Sequence, residues 1–226
     1  MLKKCLSAIF LSAILFSGFP AYNGVSSLQA QAIGGEMLTP MEEEIVKQIN
    51  LARMDPYVFI KDLERMRSYY KGNILELPGE FSVETKEGVA ALDDALKYLK
   101  KSRRTFVMTV SKGLTKSAKD HVKDQINNPE MSFDGTDGIT PHERMSRYGK
   151  PSAYHGENIG YGALTARGIV ALFILADGQP DRGLRNNLFN PKYKKMGIAC
   201  GEHKHYKYYC VVDFAASYAE QFGPKK

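Results

Sequence analysis

Cysteine is scarce in this sequence, with three residues in 226. Cys5 falls in an N-terminal apolar run, so only Cys200 and Cys210 remain, enough for one bridge and no more. The signatures of common hydrolases are also missing. There is no Gly-x-Ser-x-Gly elbow, and His142-Glu143 runs on into Arg144-Met145, so there is no His-Glu-x-x-His zinc helix. No thiol is left as a nucleophile once Cys200 and Cys210 pair. The run from Cys5 to Phe16 is well short of the ~20 apolar residues a spanning helix needs, so no transmembrane segment is expected in the mature chain. Basic residues are not interleaved with aromatics, which argues against nucleic acid as a partner. Internal repeats, low-complexity tracts and a second domain are absent as well.

The N-terminus has the form of a secretory signal. Lys3 and Lys4 make a small basic region, the apolar run follows, and Ala30-Gln31-Ala32 has the small-x-small form of a cleavage site. No Cys-containing lipidation pattern follows the run. The chain therefore divides into a signal peptide at 1–32, a short lead at 33–40 and a single domain at 41–222. The full 226 residues less those 32 leave 194, which suits one domain with a sizeable core. The expected location is secreted, extracellular or periplasmic. Net charge is +6; the 31 basic residues less Lys3 and Lys4, against 25 acidic ones, leave +4. The clearest basic run, Lys100-Lys101-Ser102-Arg103-Arg104, reads as a solvated helix terminus, with contact to anionic lipid or polymer as the alternative.

Thr39-Pro40-Met41-Glu42 has the form of a capped helix start, and Ile45, Ile49 and Ala52 continue it at helical spacing. Pro56 interrupts, and a second helical piece runs towards Tyr70. Residues 71–84 read as a loop. Val89, Leu92, Leu96 and Leu99 mark another helix face. Ser111 caps a helix with the stripe Leu114, Ala118, Val122 and Ile126, and His121 beside that stripe reads as a partnered core histidine. Residues 127–155 are rich in turns, with one short helix around His142 to Tyr148. Ile169 to Ala176 is apolar all round, the pattern of a buried helix. Met196 to Cys200 and Tyr206 to Phe214 read as a hairpin. In its second strand Cys210, Val212 and Phe214 share one face, and Tyr209, Val211 and Asp213 the other. Cys200 and Cys210, ten positions apart across that turn, suit a single disulfide in an oxidising compartment. A zinc site built from both cysteines with His203 and His205 is the alternative.

One stretch stands out for chemistry: His155-Gly156-Glu157-Asn158-Ile159-Gly160-Tyr161-Gly162. It sets a carboxylate beside a carboxamide, among glycines. On spacing alone it reads as a tight turn, with Glu157 solvated or paired with a nearby arginine.

Together these pieces resemble the CAP superfamily of cysteine-rich secretory, antigen five and pathogenesis-related proteins, and within it the bacterial secreted SCP-like branch. The resemblance runs from Glu42 to Tyr218. It rests on Ile49-Asn50-Leu51-Ala52-Arg53, on Asp120-His121-Val122, and on Gly135-Thr136-Asp137-Gly138 with Arg144. Further along it rests on Gly156-Glu157-Asn158-Ile159, on Arg182-Gly183-Leu184-Arg185-Asn186-Asn187, and on Asp213-Phe214-Ala215. It implies an α+β fold, a three-layer α-β-α sandwich with a mainly antiparallel central sheet and a cleft on one face.

In the family that cleft carries two histidines and two acids that hold a divalent metal in some members. Here Glu157 matches one acid. Phe133, Ala176 and Leu184 stand at the other three positions, and none of these side chains can donate a lone pair to a metal. No metal and no cofactor are therefore expected. The residues expected around the cleft are Phe133, His155, Glu157, Asn158, Asp177, Leu184 and Arg185, with no catalytic residue assigned.

Three functions follow as expectations. The leading one is a non-enzymatic secreted CAP-domain protein with a degenerate site that binds an apolar or amphiphilic small ligand, lipid- or sterol-like by the resemblance, with Tyr148 and Tyr161 near it. The second is a protease-like hydrolase with Glu157 as general base, helped by His155 or Asp177. The third is an extracellular interaction module that meets a surface partner through the 127–155 segment.

Overall fold

In the computed structural model, residues 38–79, 82–129 and 131–221 are described. The expected signal peptide at 1–32 and most of the lead lie outside these residues. The helices are α1 (Pro40–Met54), α2 (Ile60–Met66), α3 (Val89–Leu99), α4 (Lys112–Gln125), α5 (Pro141–Ser146), α6 (Ala166–Leu175) and α7 (Gly183–Phe189). The strands are β1 (Tyr70–Lys71), β2 (Ile74–Leu75), β3 (Val83–Glu84), β4 (Thr109–Val110), β5 (Gly149–Pro151), β6 (His155–Tyr161), β7 (Lys195–His203), β8 (Lys207–Ala215) and β9 (Tyr218–Glu220).

The central sheet has the order β4-β7-β8-β6. β6, β8 and β7 are antiparallel and β4 joins β7 in parallel. Helix α4 covers one face. Helices α1, α6 and α7 cover the other, with α3 packed behind α6. The fold is thus the α+β three-layer sandwich with a mainly antiparallel sheet.

The pleat sorts the two interiors. Met196, Ile198, Cys210, Val212 and Phe214 join the large core with α1, α3 and α6. Ala199, Tyr209 and Val211 face α4, against Ala118 and Val122. This is the alternation expected for β8.

Helix α1 starts as its sequence dictates. Thr39 and Glu42 form a capping box ahead of Pro40. The same Glu42 carboxylate accepts from the Cys200 backbone N–H at 2.8 Å, so the cap also ties α1 to the sheet.

Two expectations about local structure are corrected. Residues 71–84 are not a plain loop, because β1, β2 and β3 pair there as a small antiparallel sheet. The stretch from His155 to Tyr161 is not a turn but a full strand, paired with β8 along its whole length. Its glycines serve close packing. A methyl at Gly156 would lie 2.8 Å from both Asn187 Oδ1 and Tyr193 OH, and one at Gly160 would lie 3.0 Å from the Phe173 ring. Only Gly162, after the strand, takes a left-handed turn, at φ 82°.

Cys200 and Cys210 are register partners on β7 and β8 and form a disulfide. His203 does not stand by as a zinc ligand. Its Nε2 lies 3.0 Å from the carbonyls of both Gln125 and Asn128. Its Nδ1 accepts from the backbone N–H groups of His205 and Tyr206, both at 3.1 Å. Both ring nitrogens are used in holding the β7–β8 turn to the end of α4. Replacing Cys200 and Cys210 by serine is expected to lower stability by about 2–3 kcal/mol in urea denaturation, from the short loop the bridge closes.

Candidate functional site

β6 and β8 place Glu157 and Asp213 directly opposite one another, on the face turned towards α4. Both are buried, Asp213 completely. Two carboxyl groups in a dry interior demand a cation or a proton.

The cation is Arg144. Thr140 and Glu143 form a capping box ahead of Pro141, fixing the start of α5, and Arg144 follows on its buried side. Its Nη2 donates to both Glu157 oxygens, at 2.8 and 2.9 Å. The same nitrogen donates to the Phe133 carbonyl and Nη1 donates to the Ile139 carbonyl, each at 2.8 Å. One guanidinium therefore neutralises Glu157 and fastens the 133–139 segment to the sheet. The Arg144 and Glu157 side chains are 3 % and 1 % exposed, so neither is open to a substrate.

A proton is favoured at Asp213. Burial first, and the Glu157 charge second, push its carboxyl well above the ordinary aspartate value. Ser117 and Glu157 are close enough to bias its titration, yet neither forms a hydrogen bond of good geometry with it. His121, fully buried on α4, completes the cluster. Its Nε2 lies 2.9 Å from the Ser132 carbonyl, 3.3 Å from the Tyr209 hydroxyl and 3.9 Å from Glu157 Oε1. Burial lowers its pKa, against the opposing pull of the Glu157 carboxylate. Burial likewise raises that of Tyr209. The Arg144–Glu157 pair thus sits among Asp213, His121 and Tyr209, whose burial favours their neutral forms.

Two opposite pH dependences follow. The folded chain keeps the Asp213 proton that the unfolded chain releases near 3.8. Asp213 therefore takes stability away as pH rises from that value through its folded pKa. His121 is the reverse: its pKa falls below the ordinary 6.5 on folding, so stability is lost as pH drops through that range. Asp213→Asn should remove only the first effect. The variant is expected to gain stability over the wild type as pH rises from about 4 towards neutrality, by roughly 1.4 kcal/mol per unit of pKa elevation. Thermal unfolding of both proteins across pH measures the widening gap.

The residues expected to meet at a cleft do not all meet. Phe133 touches the cluster through its backbone carbonyl, while its side chain is directed outward, with the residue 42 % exposed. Leu184 packs against the large core on the opposite face of the sheet. Asn158 is on that face too, donating to the Leu184 carbonyl at 2.8 Å and accepting from Asn187. Ala176 is buried as the left-handed cap of α6, at φ 47°. Arg185 donates to the last carbonyls of α6, at Ile174 and Leu175, and pairs with Asp94. Asp177 accepts from the backbone N–H groups of Lys86 and Glu87. His155 lies against His142, with its Nδ1 3.1 Å from the Ser152 carbonyl. Neither Asp177 nor His155 is hydrogen-bonded to Glu157.

Sequence reasoning left Asp213 and Arg144 without a role. The available signal was an acid inside Cys210-Val211-Val212-Asp213-Phe214-Ala215, a strand whose neighbours are apolar on both faces. Among the described residues, no three His, Cys, Asp or Glu side chains are grouped to hold a metal ion. Two open grooves, of about 450 and 620 Å³, flank α3, and neither is lined by any residue of the Glu157 cluster.

The sequence model of the Cysteine-rich secretory protein family, CAP, matches residues 105–214, from the lead into β4 to the next-to-last residue of β8. Residues 105–214 of the chain are thus similar to the CAP family. Comparison with curated protein sequences gives no match. Among solved structures, an outer surface protein of Borrelia burgdorferi aligns with a TM-score of 0.42 and 17 % identity, over 59 % of this chain and 91 % of that one. An extracellular protein containing an SCP domain from Bacillus anthracis aligns at 0.36 and 22 %, over 49 % of this chain and 34 % of that one. A cysteine-rich secretory protein of Staphylococcus aureus aligns at 0.39 and 12 %, over 80 % of this chain and 41 % of that one. The chain thus spans well under half the length of the last two. No helix among the described residues is long and apolar enough to cross a membrane.

Proposed function

We propose that this is an extracellular, non-enzymatic CAP-domain protein that works by binding an amphiphilic or surface partner on its exterior, with Glu157 kept as a structural acid. One observation carries the reading. Both Glu157 oxygens are held by a buried arginine, and the carboxylate is 1 % exposed. A general base must reach the proton it takes, directly or through one water, and this one is engaged and enclosed. Secretion rests on the form of the N-terminus and is supported by the Cys200–Cys210 disulfide. A protease-like role for Glu157 has no support in its surroundings.

Glu157→Gln tests the reading. The substitution leaves Arg144 as a buried, unmatched cation. Stability is expected to fall by about 3 kcal/mol, with no turnover to lose on peptide, ester or glycan libraries. A stable Glu157→Gln protein that abolishes a wild-type hydrolysis would refute it.

A further inference from the structure

We propose that the surface formed by the end of α1 and the 100–107 segment docks onto an anionic phospholipid bilayer. The inference rests on the reading above that the exterior does the binding, and it concerns residues remote from the Glu157 cluster. Four large hydrophobic residues lie exposed there: Phe106 at 72 %, Tyr57 at 54 %, Val107 at 42 % and Met54 at 37 %. Isolated exposed apolar residues are ordinary. Here four lie on two segments that are hydrogen-bonded to each other.

The link runs through Arg53, itself fully buried. Its Nε donates to the Phe106 carbonyl at 2.9 Å, and its other nitrogens donate to the carbonyls of Leu188, Asn190 and Tyr193. The Arg53 carbonyl accepts from the Thr105 N–H at 2.8 Å. Asn50 clamps Met108 through both its carbonyl and its amide, and the Tyr57 hydroxyl reaches the Lys100 carbonyl at 3.3 Å. Phe106 is therefore presented on a braced segment.

Charge surrounds it on the side a membrane would need. Lys194 sits over the Phe106 ring at 4.3 Å. The groove of about 620 Å³ beside the patch is lined by Lys97, Lys101, Arg103 and Arg104, over the rings of Tyr98 and Phe189. Its single acid, Asp94, is already held by Arg182 and Arg185. Among the described residues, Lys97, Lys101, Arg103 and Arg104 have no acidic partner. Uncompensated cations next to exposed apolar side chains are the combination that binds the interface of an anionic bilayer: the apolar groups enter the headgroup boundary and the cations meet lipid phosphates. An anionic polysaccharide would use the cations and leave Phe106, Val107 and Met54 without a role, so the bilayer fits both halves of the patch.

The chain has no tryptophan, so Phe106→Trp installs a single reporter at the proposed point of entry. With vesicles containing phosphatidylglycerol, the variant is expected to co-sediment, with its emission moved to shorter wavelength and shielded from a soluble quencher. Pure phosphatidylcholine vesicles and high salt should both reduce binding strongly. Arg103→Ala combined with Arg104→Ala should lower partitioning about 10- to 30-fold without altering the melting temperature, since both side chains are exposed. Glu157→Gln should bind vesicles as the wild type does wherever it is folded, which separates this proposal from the previous one. Failure to bind anionic vesicles would overturn the proposal. So would equal binding to heparin combined with no emission change on vesicles, which would identify a soluble anionic polymer as the partner.

Discussion

Arg144→Met is expected to destabilise the protein by roughly 3–5 kcal/mol, the usual consequence of removing one partner of a buried ion pair. The substitution leaves the Glu157 carboxylate facing Asp213 in a dry interior with no counter-charge. It also frees the Phe133 and Ile139 carbonyls, so the 133–139 segment loses its attachment to the sheet. Hydrogen exchange in that segment should accelerate under conditions where the central sheet stays protected. Adding Glu157→Gln should recover a large part of the loss, because the charge that Arg144 balanced is then gone.

Gly197→Ala is expected to be at least as damaging. Gly197 pairs with Asp213 across β7 and β8 and lies directly beneath α4. A methyl there would sit 2.1 Å from the Leu114 carbonyl carbon and 2.2 Å from the Thr115 nitrogen. These are backbone atoms of a helix held on both sides and cannot rotate away, so α4 must lift off the sheet. Overpacking typically costs about 1–3 kcal/mol where side chains can adjust, and the loss here should reach or exceed the top of that range. Since α4 also carries His121 and Ser117, the same shift opens the polar cluster. Urea denaturation and near-ultraviolet circular dichroism of the variant measure both effects.

How far the sequence disclosed this arrangement can be followed residue by residue. The start of α1 was legible because Thr39, Pro40 and Glu42 each solve a local problem of the first turn. The two faces of β8 were legible because the pleat alternates every residue. The buried character of α6 followed from a run with no polar side. The strand status of His155 to Tyr161 was hidden because its glycines look like turn residues, whereas two of them make room for Asn187, Tyr193 and Phe173. The placement of Leu184 was hidden for a different reason. Spacing along the chain does not say which face of a sheet a later helix covers, and α7 lies on the face opposite Glu157. Of the two environments expected for Glu157 in a turn, solvated or paired with a nearby arginine, the structure contains the second, on a strand. What spacing could not supply was the identity of that arginine, thirteen positions earlier on a separate helix.

A double-mutant cycle across Arg144 and Glu157, read by urea denaturation, tests most directly whether this acid serves the fold. The wild type, Arg144→Met, Glu157→Gln and the combined variant should give a coupling of at least about 2 kcal/mol, as expected of two groups in direct buried contact. Additivity to within about 0.5 kcal/mol would mean the pair does not hold the interior together, and Glu157 would again be a carboxylate free for other work.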